Sequence, residues 1–250
     1  PWDHIESAMG LDVLGFETES KNAYNWLRTY QENDGSWISL FHSSETNKLK
    51  ETNFSSYMAV GMWHHFKNFK DKNFLDEFWP VLDAAIEFTL SAQSKHGDFF
   101  WAKDNKNWLD DSLKTGCSSI YMSLLCYKKI ANEINKRDRV SNTQINNLKD
   151  CLKNKPFRFD RNWESKERYS MDWYYPILSG AFSKSDSIEL IRDKWKEFVV
   201  EGLGCKCVKE EPWVTAAESA ELALALTKIG LKNEAEKILQ DTFNLIDDDG

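Results

Sequence analysis

The fold of this chain is decided by the stretch GFETESKNAYNWLRTYQENDGSW, residues 15–37. Its apolar residues recur at helical spacing, which predicts a helix over most of the stretch. Asp34-Gly35 then ends the helix at a point where the backbone needs a residue of positive φ. Trp37 follows this turn and is expected to fold back onto the helix. The stretch therefore predicts an outer helix closed by a tight, aromatic-capped turn.

The same unit recurs along the chain. The interval from the first glycine of the stretch to its Asp-Gly turn is restated between Gly230 and Gly250, and residues 93–99 repeat the Gln-x-x-x-Gly-x-aromatic part. A helix and turn that recur at a fixed interval are typical of arrays of helical hairpins. Five hairpins are visible in all, and the last stops at its turn. We therefore expect a single domain over residues 1–250 that is incomplete at the C-terminus.

Ten segments have helical periodicity, and they alternate between small, apolar composition and amphipathic composition. This alternation predicts an all-α fold, an α/α toroid or barrel of helical hairpins in which inner helices are walled by outer helices. In such a toroid the loops at one end of the inner helices form a funnel. The helices are expected near residues 1–14, 18–32, 54–66, 80–93, 115–131, 141–153, 168–182, 185–200, 213–230 and 231–246, with Pro80 opening the fourth and a break at Pro176 in the seventh.

Composition restricts the partners of the protein. The net charge of −8 and the scattered lysines argue against nucleic acid, whose binding depends on clustered cations. No apolar run approaches the roughly 20 residues of a membrane span. The five cysteines lack metal-site spacing and are expected as reduced thiols in a cytoplasmic protein without metal or cofactor. His64 and His65, in an otherwise apolar helix, are expected as hydrogen-bonded core histidines.

Two known architectures resemble this pattern. The turn QENDGSW, Gln31 to Trp37, resembles the QW repeat of terpenoid cyclases and the related prenyltransferase repeat. The opening PWDHIESAMGL, with the hairpin that ends at Trp37, resembles the first hairpin of six-hairpin glycosidases such as glucoamylase-like enzymes. The first resemblance implies isoprenoid chemistry, and the second implies sugar hydrolysis.

The acid clusters of the chain separate these two interpretations. An isoprenoid cyclase resemblance implies an Asp-x-Asp-Asp or Asp-Asp-x-x-Asp motif, and the protein prenyltransferases imply an Asp-x-Cys zinc pattern. The chain has none of these, because Asp110-Asp111 lacks a third carboxylate at the right spacing and residues 247–249 lead directly into a turn glycine. The glycosidase interpretation is therefore favoured.

Acidic residues stand beside aromatic residues at successive starts of inner helices, which is the composition of a sugar site. Asp172 and Glu218 are our choice for a catalytic pair, in which one carboxyl protonates the leaving oxygen and the other activates water. An acid in the first turn of a helix also stabilises it by roughly 0.3–1 kcal/mol, so a purely structural role stays open for each. The expected substrate-binding residues are Trp2, Asp3, Glu6, Glu51, Asn53, Trp108, Trp173, Tyr174 and Trp213.

These residues predict a carbohydrate-active enzyme, a glycoside hydrolase that acts on a saccharide. The alternatives are a terpenoid cyclase or prenyltransferase relative, and a toroid that binds a sugar or peptide without turnover. The sugar-site hypothesis requires distant residues to meet in one concave pocket. These residues are the acids Asp3, Glu51, Asp172 and Glu218, lined by Trp2, Trp108, Trp173 and Trp213.

Overall fold

The computed structural model describes residues 1–41 and 48–246, and within these ranges it contains ten α-helices and two small antiparallel sheets. The all-α class expected from the sequence is confirmed. No helix in these two ranges is long and apolar enough to cross a bilayer. The turn expected at Asp249-Gly250 lies outside the described residues. The helices are α1 Trp2–Val13, α2 Glu17–Thr29, α3 Thr52–Phe69, α4 Lys72–Ser91, α5 Lys114–Glu133, α6 Asn142–Asn154, α7 Ser170–Ser179, α8 Lys184–Phe198, α9 Ala216–Ile229 and α10 Lys232–Thr242.

The helices form five consecutive hairpins of a toroid. Each odd-numbered helix packs against the next odd-numbered helix, from α1 through α3, α5 and α7 to α9, and each also packs against the even-numbered helix that follows it. The odd-numbered helices are therefore the inner ones. Burial agrees with this assignment, since α3 and α5 are buried around most of their circumference, whereas α2 buries only Ser20, Tyr24 and Leu27. That spacing is one helical stripe.

Short strands precede two of the inner helices. Strand β1, Lys50–Glu51, pairs with β2, Ala102–Lys103, and leads directly into α3. Strands β3, Val199–Val200, β4, Gly204–Lys206, and β5, Val214–Thr215, form the second sheet, and β5 leads directly into α9. The sheets thus anchor the N-terminal ends of α3 and α9.

The repeated turn links successive outer helices. Gln31 donates from its side-chain Nε2 to the carbonyl oxygens of Gly35, at 3.0 Å, and Val81, at 2.9 Å. Gln93 does the same in the next hairpin, donating to Gly97 at 3.2 Å and to Gln144 at 3.0 Å. Val81 lies in α4 and Gln144 in α6. One glutamine therefore closes its own turn and binds the backbone of the next outer helix.

The glycine of the turn is required for two reasons. Gly35 has φ of +86°, and a Cβ added there would come within 2.2 Å of the carbonyl oxygen of Ala84 in α4. Gly97 has φ of +103°, and its added Cβ would come within 2.4 Å of the Asn147 oxygen in α6. Positive φ and direct backbone contact both exclude a side chain. The repeat in the sequence is therefore a repeated contact between helices.

The fourth and seventh helices differ from the sequence expectation. Helix α4 begins at Lys72 and not at Pro80, because Asp71 caps it by accepting from the Phe74 backbone N–H at 3.0 Å. Apolar residues are buried at helical spacing on both sides of Pro80, and this burial outweighs the cost of about 3 kcal/mol for an internal proline. Helix α7 likewise continues through Pro176, without the expected break, and ends at Gly180.

Two buried carboxylates hold hairpins together through charged or chargeable partners. Asp12, near the end of α1, contacts His65 Nδ1 at 2.7 Å and His64 Nδ1 at 3.1 Å. Burial would raise the pKa of Asp12, but the hydrogen bonds from His64, His65 and Ser20 outweigh it and lower this pKa to about 2. His65 therefore lies in the core as expected and His64 at its edge, and both hydrogen-bond a carboxylate that they keep ionised.

Asp98, in the second repeated turn, is fully buried. It accepts hydrogen bonds from Arg158 Nη2 at 3.0 Å and from the Ser112 hydroxyl at 2.6 Å. It also accepts hydrogen bonds from the Ser94 hydroxyl and from Arg161 Nη1. Burial opposes ionisation here too, yet the Arg158 guanidinium and the serine hydroxyls lower the pKa of Asp98 to about 2. This ion pair ties the second hairpin to the segment that precedes α7.

Candidate active site

A cavity of about 530 Å³ lies between the inner helices, and residues from all five of them line it. The cavity includes the first turns of α1, α7 and α9, where the sequence predicted a funnel, and it extends to the middle of α5 and to the last turn of α7. Trp2 and Tyr57 form one side of it, with ring centroids 4.1 Å apart and an interplanar angle of 5°. Flat stacked rings of this kind suit the apolar face of a sugar ring.

Among the described residues, four carboxyl groups line the cavity, and they belong to α1 and α9. Asp3 and Glu218, which we call the upper pair, lie in the first turns of these two helices. Glu6 and Glu221, the lower pair, lie one helical turn further along the same helices. Because residues three apart share a helix face, each helix presents both of its acids to the cavity.

The lower pair is desolvated and bonded to tyrosines. Burial raises the pKa of Glu221 to about 7, although the Tyr174 hydroxyl donates to its Oε2 and opposes this shift. Burial also raises the pKa of Glu6, whose Oε1 accepts from the Tyr57 hydroxyl at 3.1 Å. A hydroxyl stabilises a carboxylate by a hydrogen bond but supplies no positive charge. The effect of desolvation on the pKa is therefore larger than that of the hydrogen bond. Burial therefore shifts both acids toward the protonated form, and Glu221 keeps its proton to a higher pH than a carboxyl in water.

The two members of the upper pair differ in their access to water. Asp3 is exposed, whereas Glu218 is half-buried. Glu218 accepts from the hydroxyl of Thr215, and Thr215 Oγ1 in turn accepts from the Glu218 backbone N–H at 3.2 Å. This N-cap arrangement is a local reason why α9 begins where it does. Glu218 thus has a structural role and also presents its side chain to the cavity.

A second pocket of about 310 Å³ adjoins the first and shares Met171 and Glu218 with it. Asp172 lies in this second pocket. Burial raises its pKa, although Lys114 Nζ lies 3.6 Å from Oδ2 and opposes the shift. The Thr115 hydroxyl donates to Asp172 Oδ1 at 3.4 Å. Glu218 therefore stands at the junction of two pockets, with Asp172 on one side and the lower pair on the other.

Several expected residues lie elsewhere, so the expected eight-residue pocket does not form as a whole. Trp173 is buried in the core, where its Nε1 donates to the Leu190 oxygen at 2.9 Å. Trp108 packs against Phe88, with ring centroids 5.2 Å apart, and lines neither pocket. Trp213 is 61% exposed and also lines neither. Trp173 follows Asp172 directly in α7, and successive residues of a helix point about 100° apart, so the two side chains do not face the same space.

Three further residues were expected to bind substrate, and the structure gives each of them another position. Glu51 is the N-cap residue of α3, with a pKa raised by burial, and lines neither pocket. Asn53 packs against α5, where a Cβ on Gly116 would lie 3.6 Å from its side chain. Tyr174 does not line either pocket, but its hydroxyl holds Glu221.

Sequence reasoning missed Glu221 and Tyr57. The signal for Glu221 is present in AESAELALAL, because it is an acid within an apolar inner helix, beyond the first turn where capping explains acids. Tyr57 gave no such signal, since a tyrosine in FSSYMAVGM reads as core. As for a metal, residues 1–41 and 48–246 contain no group of three His, Cys, Asp or Glu side chains placed to hold an ion.

No family model matches the chain. The chain is 36% identical over 251 aligned residues to an MMP endo-(1,4)-3-O-methyl-α-D-mannosidase from Mycolicibacterium hassiacum, an alignment that spans 100% of this chain and 69% of that protein. Among solved structures, a rhamnosidase from Klebsiella oxytoca with rhamnose bound is similar in fold, with a TM-score of 0.63 at 15% identity. That similarity covers 93% of this chain and 46% of the rhamnosidase chain.

Proposed function

This chain belongs to the glycoside hydrolase family of the MMP endo-(1,4)-3-O-methyl-α-D-mannosidase, and we propose that it cleaves (1,4) bonds within chains of 3-O-methylated α-mannose units. The observation that carries the proposal is the identity to this relative over the whole chain, together with four carboxyls that converge on one cavity. Aromatic rings beside paired carboxyls are what sugar hydrolysis requires.

The two adjoining pockets support endo action. An enzyme that cuts within a chain must bind sugar units on both sides of the bond that it breaks. The larger pocket and the Asp172 pocket meet at Glu218 and Met171. A sugar chain that occupies both pockets would pass its glycosidic bond beside Glu218.

We assign the catalytic pair to Asp3 and Glu218. They project from the first turns of two different helices on the same cavity, so a sugar ring can lie between them. One carboxyl donates a proton to the leaving oxygen, and the other activates water or attacks the anomeric carbon. Asp3 here takes the role that the sequence suggested for Asp172, because Asp172 is buried in the second pocket beside Lys114 and Thr115.

Glu221 serves the upper pair in its uncharged form. With its pKa raised to about 7, Glu221 is largely protonated in mildly acidic solution. A neutral Glu221 one turn below Glu218 limits the negative charge of the cavity, and it can donate a hydrogen bond to a sugar oxygen. Asp172 and Lys166, in the second pocket, are placed to hydrogen-bond the neighbouring sugar unit.

The test is hydrolysis of a (1,4)-linked α-mannoside chain that carries 3-O-methyl groups. Asp3→Asn and Glu218→Gln should each lower kcat by roughly two to four orders of magnitude, because each variant keeps its shape and loses acid–base capacity. Asp110→Asn, an acid that lines neither pocket, is the matched control and should retain full activity. Near-normal turnover in either cavity variant would remove that residue from the mechanism.

A substrate with an activated aryl leaving group assigns the two roles. Such a leaving group needs no proton, so the variant that lacks the acid should recover activity on it, while the variant that lacks the base should not. Sugar binding without turnover by the unaltered protein would instead support a binding toroid and contradict the enzyme proposal.

A further inference from the structure

The cavity has two chemically different sides. Its four carboxyls all come from α1 and α9, which form an acidic side. The helices α3, α5 and α7 contribute only Tyr57, Val60, Met122, Met171 and Leu178. The Tyr57 hydroxyl is already committed to Glu6 at 3.1 Å. Among the described lining residues of these three helices, no side-chain donor is therefore left for a ligand, and the Tyr57 oxygen is the only strong acceptor.

Methionine is concentrated on this cavity. Of the five methionines, Met9, Met122 and Met171 line it, and they come from three different helices. All three are half-buried, whereas the other two, Met58 and Met62, are fully buried in the core. The thioether is flexible, polarisable and only a weak acceptor, so it adapts to small apolar groups. We call Met9, Met122 and Met171 the methionine cluster.

A sugar hydroxyl facing the methionine cluster would lose its water and gain no partner, which is unfavourable. A methyl ether at the same position has no donor to satisfy, and its methyl group gains apolar contact. The cluster therefore favours a sugar that carries an O-methyl substituent over the same sugar with a free hydroxyl.

We propose that the methionine cluster binds the 3-O-methyl group of the substrate and selects methylated over unmethylated mannosides. This assignment rests on the proposed function, since it takes the substrate class from there. It adds the residues that recognise the methyl group: the four carboxyls cleave and orient the substrate, and the three methionines discriminate between substrates. A single methyl group in an apolar pocket is worth about a 10- to 200-fold difference in kcat/KM.

The experiment compares two (1,4)-linked α-mannotetraosides, one carrying 3-O-methyl groups and one without them. The ratio of their kcat/KM values should be at least about tenfold in favour of the methylated chain. Met122→Gln has nearly the same length but places an amide at the cavity surface, and it should bring the ratio close to one by weakening the methylated substrate. Met122→Leu is the matched control and should keep most of the preference.

Met9→Gln provides a second variant in case Met122→Gln does not fold, which thermal unfolding would reveal. The binding of methyl 3-O-methyl-α-D-mannopyranoside and of methyl α-D-mannopyranoside, followed by intrinsic tryptophan fluorescence, gives a readout that needs no turnover. Suppose that neither tetraoside is hydrolysed, that the methylated monosaccharide still binds better, and that Met122→Gln or Met9→Gln removes this preference. The proposed hydrolase function would then fail, while the assignment of the methionine cluster as the binding site of the methyl group would hold. Equal binding and equal turnover of both sugars, or a preference unchanged in the glutamine variants, would overturn the methyl site.

Discussion

Asp98 and Glu221 are both carboxyls carried into the interior by the fold, yet burial leaves them in opposite states. Asp98 meets the guanidinium of Arg158 at 3.0 Å, and its pKa falls to about 2 in spite of burial. Glu221 accepts a hydrogen bond from the Tyr174 hydroxyl and forms no ion pair with any described residue, and burial raises its pKa to about 7. The partner, and not the depth, decides whether a buried acid is charged.

The same contrast divides the rest of the molecule. Asp12, held by His64 and His65, resembles Asp98 and lies away from the cavity near the end of α1. Glu6, held by Tyr57, resembles Glu221 and lines the cavity. Asp12 and Asp98, which stabilise the fold, are thus paired with chargeable groups, and the lower pair of the cavity, Glu6 and Glu221, is paired with tyrosine hydroxyls. A neutral buried acid has a cost in stability, which is typical of functional sites.

The largest effect is expected from breaking the Asp98 site. Asp98→Asn leaves Arg158 buried without its counter-charge, and we expect a loss of about 3–5 kcal/mol in the free energy of unfolding measured with urea. Asp110→Asn is the matched control, because Asp110 also bonds Arg161, at 3.0 Å, but its side chain is 83% exposed. It should lose less than about 1 kcal/mol. Equal losses in the two variants would contradict the role of burial.

Above neutral pH, we expect Glu221→Gln to change the free energy of unfolding in the opposite direction from Asp98→Asn. A carboxyl whose pKa is raised in the folded state binds more protons there than when unfolded, so stability falls as pH rises from about 4.5 through about 7. The fall attributable to Glu221 is about 3 kcal/mol. Glu221→Gln should remove it and should equal or exceed the unaltered protein in stability at pH 8. Urea unfolding at pH 5 and pH 8 measures this, and an unchanged pH dependence would show that Glu221 is not protonated in the folded state.

The smallest effect is expected from Tyr174→Phe, which tests directly whether the Tyr174 hydroxyl influences the pKa of Glu221. The hydroxyl of Tyr174 stabilises ionised Glu221, so its removal should raise the pKa of Glu221 further, by up to about one unit. The cavity gains negative charge when Glu221 ionises, so activity should decline at high pH. In Tyr174→Phe this decline should occur at a higher pH. Tyr127→Phe is a matched control, since its hydroxyl binds Asp83 away from the cavity. A downward shift would contradict the assignment.

Local pattern predicted most of the fold. The turn at Asp34-Gly35 required positive φ, and the alternation of apolar and amphipathic helices required inner and outer positions, and both follow from residues near one another in the chain. The start of α4 was mispredicted because Pro80 has a strong local preference that distant apolar contacts override. The glycosidase resemblance of the opening hairpin is supported by the mannosidase relative, at the level of glycoside hydrolase.

The site was predicted only in part. Trp2, Asp3, Glu6 and Glu218 do share one cavity, because each begins or lies near the start of an inner helix at the same end of the toroid. Trp173 does not line the cavity, because its side chain points from α7 toward α8. There its Nε1 donates a hydrogen bond to the Leu190 backbone oxygen. The catalytic assignment itself stays a prediction that the variants above will decide.

By itself, the sequence determined where helices form, which of them are inner, and which end of the toroid carries acids, since these depend on periodicity and on caps within a few residues. Only the tertiary structure decided which acids are charged. Tyr57 reaches Glu6 across 51 positions, Tyr174 reaches Glu221 across 47, and Arg158 reaches Asp98 across 60. A pKa depends on desolvation and on the nearest charge in space, and neither quantity exists until distant segments have packed together.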